Sequence, residues 1–113
     1  MRKYCLIFIL LTGCSFTKAE IGLEAAYLGL LVLDWGQTLY IADHEDYYER
    51  NPILGRHPSR GAVNSYFLMS ALLHPLVSVV LPKEYRAWWQ GGTIGLDALC
   101  VGNNFSIGIG MGF

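Results

Sequence analysis

The sequence predicts a mainly α, membrane-associated fold. Three hydrophobic helices are expected at about 21–42, 62–81 and 84–101. A short C-terminal β-strand follows at 105–113, and a signal segment precedes them all. Three observations carry this expectation. Hydrophobic residues make up 53% of the chain and charged residues only 15%, against roughly 25% charged in an average soluble domain. Two of the long stretches hold only two acidic residues each, and the third holds none. The last nine residues alternate with period two, as a strand does.

The same numbers exclude several classes. A chain this apolar has enough surface to bury and is not disordered. At 113 residues it is one domain. The net charge is −1 with no basic cluster, so it lacks the electrostatic footprint of a nucleic-acid binder.

The N-terminus reads as a targeting segment. Arg2 and Lys3 precede an apolar run from Tyr4 to Leu11, closed by Thr12, Gly13 and Cys14. Charge, a short apolar stretch and small residues are the order of a secretory signal. The run is too short to span a bilayer, which takes about 20 residues. Leu11-Thr12-Gly13-Cys14 also resembles a bacterial lipobox. Its small residues admit the peptidase, and its cysteine thiol carries the diacylglyceryl thioether. The expectation is a lipoprotein-type signal peptide at 1–13, lipidation at Cys14, and one small helical domain at 14–113. Ser15 after the cysteine points to the outer membrane. An uncleaved segment would instead make an inner-membrane protein. Cys5 leaves with the signal and Cys14 is acylated, so Cys100 has no partner for an intramolecular disulfide.

The first helix, 21–42, has no proline and is rich in Leu and Ala. At 100° per residue Glu20, Glu24, Tyr27, Asp34 and Thr38 fall within an arc of roughly 80°. That is one polar stripe on an otherwise apolar helix, and in lipid such a stripe needs a partner. Residues 43–61 hold four acids, three arginines and two histidines, with Asn51-Pro52, His57-Pro58 and two glycines as breaks. They form an exposed connection at the aqueous boundary. The second helix, 62–81, has a length that suits a bilayer core, and Pro75 removes one of its backbone hydrogen bonds. Asn64, Ala71, His74 and Ser78 share one face. Pro82 suits the start of the third helix, where Tyr85, Trp88 and Trp89 resemble an interfacial belt. Gly91 and Gly95 permit close helix packing, and Asp97 is the interior charge. Asn103-Asn104 reads as a turn. In 105–113, Phe105, Ile107, Ile109, Met111 and Phe113 fall on one face, with Ser106 and three glycines on the other.

The candidate site residues are polar groups placed against apolar surroundings. Asp34, Thr38, Asn64, His74 and Asp97 are expected to form an interhelical polar network, since an unpaired polar group in lipid is costly. Glu49, Asn51, Pro52 and His57 form a candidate loop motif. His44, His57, His74, Glu49, Asp34 and Asp97 are chemically able to ligate metal, but His-x-x-x-His and His-Glu-x-x-His spacings are absent, so no metal or other cofactor is assigned. Ser70 and His74 are four residues apart and within reach on a helix. Gly-x-Ser-x-Gly is absent, so no catalytic residue is assigned either.

Several stretches resemble a known group of proteins. These are Asp34-Trp35-Gly36-Gln37-Thr38, Ile41-Ala42, Tyr47-Tyr48-Glu49, Asn51-Pro52-Ile53-Leu54-Gly55-x-His57-Pro58-Ser59, Tyr66-Phe67 and Val101 to Gly108. The group is the small uncharacterised proteobacterial and prophage-encoded proteins described as lipoproteins or membrane proteins. A looser likeness joins Asp34, Thr38, Glu49, Asn51 and Pro52 to wider membrane-protein families with Asp-x-x-x-Thr and Glu-x-Asn-Pro. The resemblance implies a compact helical membrane protein and supplies no activity. The expected role is non-enzymatic, structural or interactive, in a bacterial envelope. Its expected partners are membrane lipid and either a second copy or another envelope protein. The rival readings are an integral inner-membrane protein, and a membrane metal-binding protein or hydrolase using Asp34, His74 and Asp97.

Overall fold

The computed structural model describes residues 16–113. The expected signal peptide at 1–13 and the lipidation site Cys14 lie outside the described residues. Three helices follow: α1 Lys18–Asp43, α2 Arg60–Val80 and α3 Lys83–Ser106. Among the described residues the mainly helical, three-helix expectation holds.

Local chemistry sets the starts. The Thr17 hydroxyl accepts the Glu20 amide at 3.2 Å, and the Glu20 carboxylate accepts the Thr17 amide at 3.4 Å, a reciprocal capping box. Ser59 caps α2 by accepting the Ala62 amide at 3.1 Å. No side chain caps α3, which starts at Pro82. Instead Arg86 folds back. Its guanidinium donates to the carbonyls of Leu81 at 2.9 Å and Val79 at 2.8 Å, satisfying the open end of α2.

Side-chain contacts fix the directions. Glu24, early in α1, meets His74 and Ser78, late in α2, while Trp35 reaches Asn64 near the start of α2. These helices are antiparallel. Glu20 meets Arg86 and Gln90 at one end of α3, and Gln37 meets Val101 and Asn104 at the other, so α1 and α3 are parallel. α1 packs against both partners, whereas α2 and α3 approach each other little along their length. The apolar core is Tyr27, Leu31, Leu39, Val63 and Phe67, with Trp35 stacked on Phe67.

Two expectations need correction. Residues 105–113 do not form a β-strand, and no strand occurs among the described residues. Phe105 and Ser106 belong to α3, which runs through Asn103-Asn104. Asn104 prolongs the helix because its amide donates to Gln37 Oε1 on α1 at 3.0 Å. Residues 107–113 then turn at Gly108 (φ 90°) and lie along α1. The Gly112 amide donates to the Gly36 carbonyl at 2.7 Å, and Ile109 is buried. The alternation is real, but its period serves this contact. Gly110 faces the Tyr40 ring and Gly112 faces the α1 backbone. Both sides of the tail touch α1, the glycines against its backbone and the Tyr40 ring and the Met111 and Phe113 side chains over Gly36, and no second strand is present among the described residues to make a ladder.

The second correction concerns hydrophobicity. Among the described residues, only Arg60–Val80 is long and apolar enough by composition to cross a membrane. α1 and α3 fall short because Asp34, Gln37, Thr38, Gln90, Thr93 and Asp97 dilute them. These residues are the ones turned toward neighbouring helices.

The tail contact is testable. A Cβ at Gly112 would sit 2.6 Å from the Leu39 backbone carbon, whereas one at Gly36 would meet only the ends of the Met111 and Phe113 side chains. Gly112→Ala is expected to cost about 1–3 kcal/mol through overpacking and to raise hydrogen exchange across 107–113. Gly36→Ala is expected to cost less, because those side chains can swing aside.

Candidate functional site: a polar column between the helices

Polar residues meet along the bundle axis. On α3, Arg86, Gln90, Thr93, Asp97 and Asn104 fall within an arc of roughly 60°. This stripe faces the one on α1. At the Pro82 end, the centre is the Glu24 carboxylate, on a residue only 6% exposed. His74 Nδ1 donates to its Oε2 at 2.9 Å. The Ser78 hydroxyl donates to Oε1, and the Gln90 amide donates to the same oxygen at 3.1 Å. Three donors from two helices satisfy one buried acid, as an ionised carboxylate requires. His74 Nε2 is hydrogen-bonded to Thr93 Oγ1 at 2.7 Å. Its ring lies between Tyr27, at 3.5 Å between centroids, and Trp89, at 4.8 Å. The Trp89 indole donates to Ser78 Oγ at 3.0 Å.

Nearer the loop, Asp34 of α1 and Asp97 of α3 bring their carboxyl groups into hydrogen-bonding contact. That contact needs a proton on one of them, because an ionised carboxylate has no donor. Without it, the buried Asp97 Oδ2 has no partner among the described residues. Both line a cavity of about 620 Å³, together with Glu49, Asn51, Pro52 and Tyr66. Glu49 and Asn51 also build the loop. The Glu49 carboxylate accepts the amides of Arg50 at 3.0 Å and Asn51 at 2.9 Å. Asn51 Oδ1 accepts the Ile53 amide at 3.0 Å, which sets the turn before Gly55 (φ 78°).

The expected residues thus separate into several places. Asp34 and Asp97 come together, with Glu49, Asn51 and Pro52 at the same cavity. His74 belongs to the Glu24 cluster. Thr38 donates to the Asp34 carbonyl within its own helix at 2.8 Å. Asn64 accepts from the Trp35 indole at 2.8 Å. His57 is exposed. Ser70 donates to the Tyr66 carbonyl at 2.9 Å and not to His74. Among the described residues, no group of three or more His, Cys, Asp and Glu side chains is placed to hold a metal ion.

A second cleft of about 440 Å³ lies between α2 and α3, bordered by Leu73, Val77 and Leu96, with Tyr27, His74 and Asp97 among its lining. Sequence reading placed Glu24 in the α1 stripe without a partner, and it missed Gln37, Gln90, Thr93 and Asn104. The spacing of polar residues on α3 carried the signal for most of these. Comparisons with family models, curated proteins and solved structures found no match to this chain.

His74→Ala leaves the Glu24 carboxylate buried without its α2 imidazole. The expected loss of unfolding free energy is about 3–5 kcal/mol, read from denaturant unfolding in detergent. His74→Gln retains a donor and is expected to lose clearly less. Equal losses would show that the hydrogen bond to Glu24 adds nothing.

Proposed function

We propose that this chain is a non-enzymatic membrane protein of a bacterial envelope, a three-helix bundle set in lipid and joined there by acylation of Cys14. Its role is structural or interactive, and it belongs with the small proteobacterial and prophage-encoded membrane proteins its motifs resemble. The observation that carries the reading is an inverted distribution of polarity. Glu24, Gln37, Thr38, His74, Ser78, Arg86 and Gln90 are buried. Meanwhile Val80 is 81% exposed, Leu99 73%, Leu96 68% and Leu72 59%. Water-soluble monomers rarely expose apolar patches larger than a few hundred Å². Acyl chains accept such a surface and leave polar groups to pair inside.

Two further features agree. α2, with 21 residues, is about 31 Å long at 1.5 Å per residue, close to the roughly 30 Å hydrocarbon core. Exposed charge gathers at the two ends, with Lys18, Lys83 and Glu84 at one and the 43–60 segment at the other. Between them the ionisable side chains Asp34, Asp97 and His74 face inward contacts. Trp88, 81% exposed in the second turn of α3, suits the interface.

Two measurements test this. In vesicles whose acyl chains carry bromine, Leu72→Trp fluorescence is expected to be strongly quenched; quenching no greater than that of free tryptophan would overturn the membrane placement. Expression with labelled palmitate is expected to label the wild-type chain and not Cys14→Ala. An unlabelled chain that retains Met1 would replace the lipid anchor with an uncleaved N-terminal segment.

A further inference from the structure

Two carboxyl groups in contact make a joint that depends on one proton. Asp34 of α1 and Asp97 of α3 share a hydrogen bond and line the cavity of about 620 Å³. The register of the helices puts them there. α1 and α3 run parallel, and the next contact along them joins Gln37 to the Val101 carbonyl at 3.2 Å and to Asn104 at 3.0 Å. The packing that buries Gln37 therefore opposes the two acids whichever charge they carry.

The surroundings offer little to replace that proton. Asp34 and Asp97 take part in none of the ion pairs found among the described residues. From the loop, Asp46 and Glu49 bring negative charge to the cavity, and Arg50 is the basic side chain of its lining. Arg50 is exposed, so water screens its charge. Tyr47 and Tyr48 of the loop, Tyr66 of α2 and Cys100 of α3 also line the cavity, and their ionisation adds only negative charge. Beside Asp97, Tyr27 of α1 and His74 of α2 line the α2–α3 cleft. Both His74 nitrogens are bonded elsewhere, to Glu24 and Thr93. Two carboxylates that share a site repel once both are ionised. The exposed loop residues at the cavity mouth let water exchange the proton.

We propose that the Asp34–Asp97 pair is a pH-operated latch between α1 and α3. With one proton between them, the acids hold the loop end of the bundle closed. Without it they repel, the α1–α3 contact loosens at that end, and Ile41 and Ile109 of the cavity wall, 4% and 3% exposed in the closed state, open to water. In the unfolded chain both acids ionise at about pH 4. Above that pH the latched chain holds one proton more than the unfolded chain, so the stability the latch adds falls as pH rises. It is gone once the pair has ionised. A contact serving only to dock the helices has no such dependence, because an amide in place of either acid donates to the other without a shared proton. The latch does not rest on the membrane reading and works alike in detergent and in lipid.

The full chain in detergent is unfolded by denaturant between about pH 5 and about pH 9, the range in which paired and buried carboxyls give up a proton. Wild type is compared with Asp34→Asn and Asp97→Asn, each of which keeps a donor facing the remaining acid. The unfolding constant of wild type relative to either variant is expected to rise with pH by up to about tenfold per unit, the slope of a single proton. Groups common to all three chains cancel in that ratio. Hydrogen exchange, corrected for its intrinsic pH dependence, reads the latch locally. Wild type is expected to lose protection over 97–104 and 107–113 at high pH while 20–30 and 74–90 keep theirs, and the Asn variants are expected to keep both. Should one variant not fold, the other carries the comparison. A ratio that stays flat across the range, or local protection in wild type that does not change with pH, would overturn the proposal.

Discussion

The Glu24 carboxylate is the constraint on which the bundle turns. It sits on α1 and takes donors from His74 and Ser78 of α2 and from Gln90 of α3. A buried charge is tolerated only when it is paired and hydrogen-bonded, so all three helices must hold their register for this acid to be satisfied. The same end is closed by Arg86, which joins Glu20 of α1 at 3.3 Å to the last carbonyls of α2. α2 and α3 approach each other little along their length, and besides Arg86 they are joined by His74 with Thr93 and Trp89 with Ser78.

Specificity and solubility pull the chain in opposite directions. Apolar packing alone tolerates rotations of one helix against another, whereas a polar network has few fully satisfied arrangements. Placing that network inside leaves the apolar side chains outside. On the proposed membrane reading lipid relieves the conflict, since it gains nothing by driving apolar helices together, and there the polar contacts become the adhesive. At the other end, the C-terminal tail adds a further contact. It lies over Gly36, and Arg60 is bonded both to Asp43 and to the Gly112 carbonyl.

Much of the helical frame was legible in the sequence. The α1 stripe of Glu20, Glu24, Tyr27, Asp34 and Thr38 is a matter of 100° spacing, and so is the His74–Ser78 face of α2. What the spacing did not carry was pairing. The spacing placed Asp34, Thr38, Asn64, His74 and Asp97 in one network, but the parallel approach of α1 and α3 gives Asp34 to Asp97, while His74 goes to Glu24 and Thr38 to its own helix. Gln37 lies roughly 100° from the centre of the stripe and is still fully buried, because α1 has neighbours on two sides. Asn103-Asn104 reads as a turn by composition, and a tertiary hydrogen bond overrides it. The C-terminal alternation was legible as extended chain, while its partner, a helix and not a strand, was not. The α2–α3 cleft depends on the separation of two helices, which no local pattern records.

The most direct test of the central claim is a double-mutant cycle on Glu24 and His74. Unfolding free energies of wild type, Glu24→Gln, His74→Gln and the double variant are compared under one set of detergent conditions. A buried pair that docks two helices is expected to show a coupling of about 1–3 kcal/mol, the double variant losing less than the sum of the singles. Losses that add to within about 0.5 kcal/mol would mean that the two side chains do not act together, and the bundle would have to be held by something other than this acid.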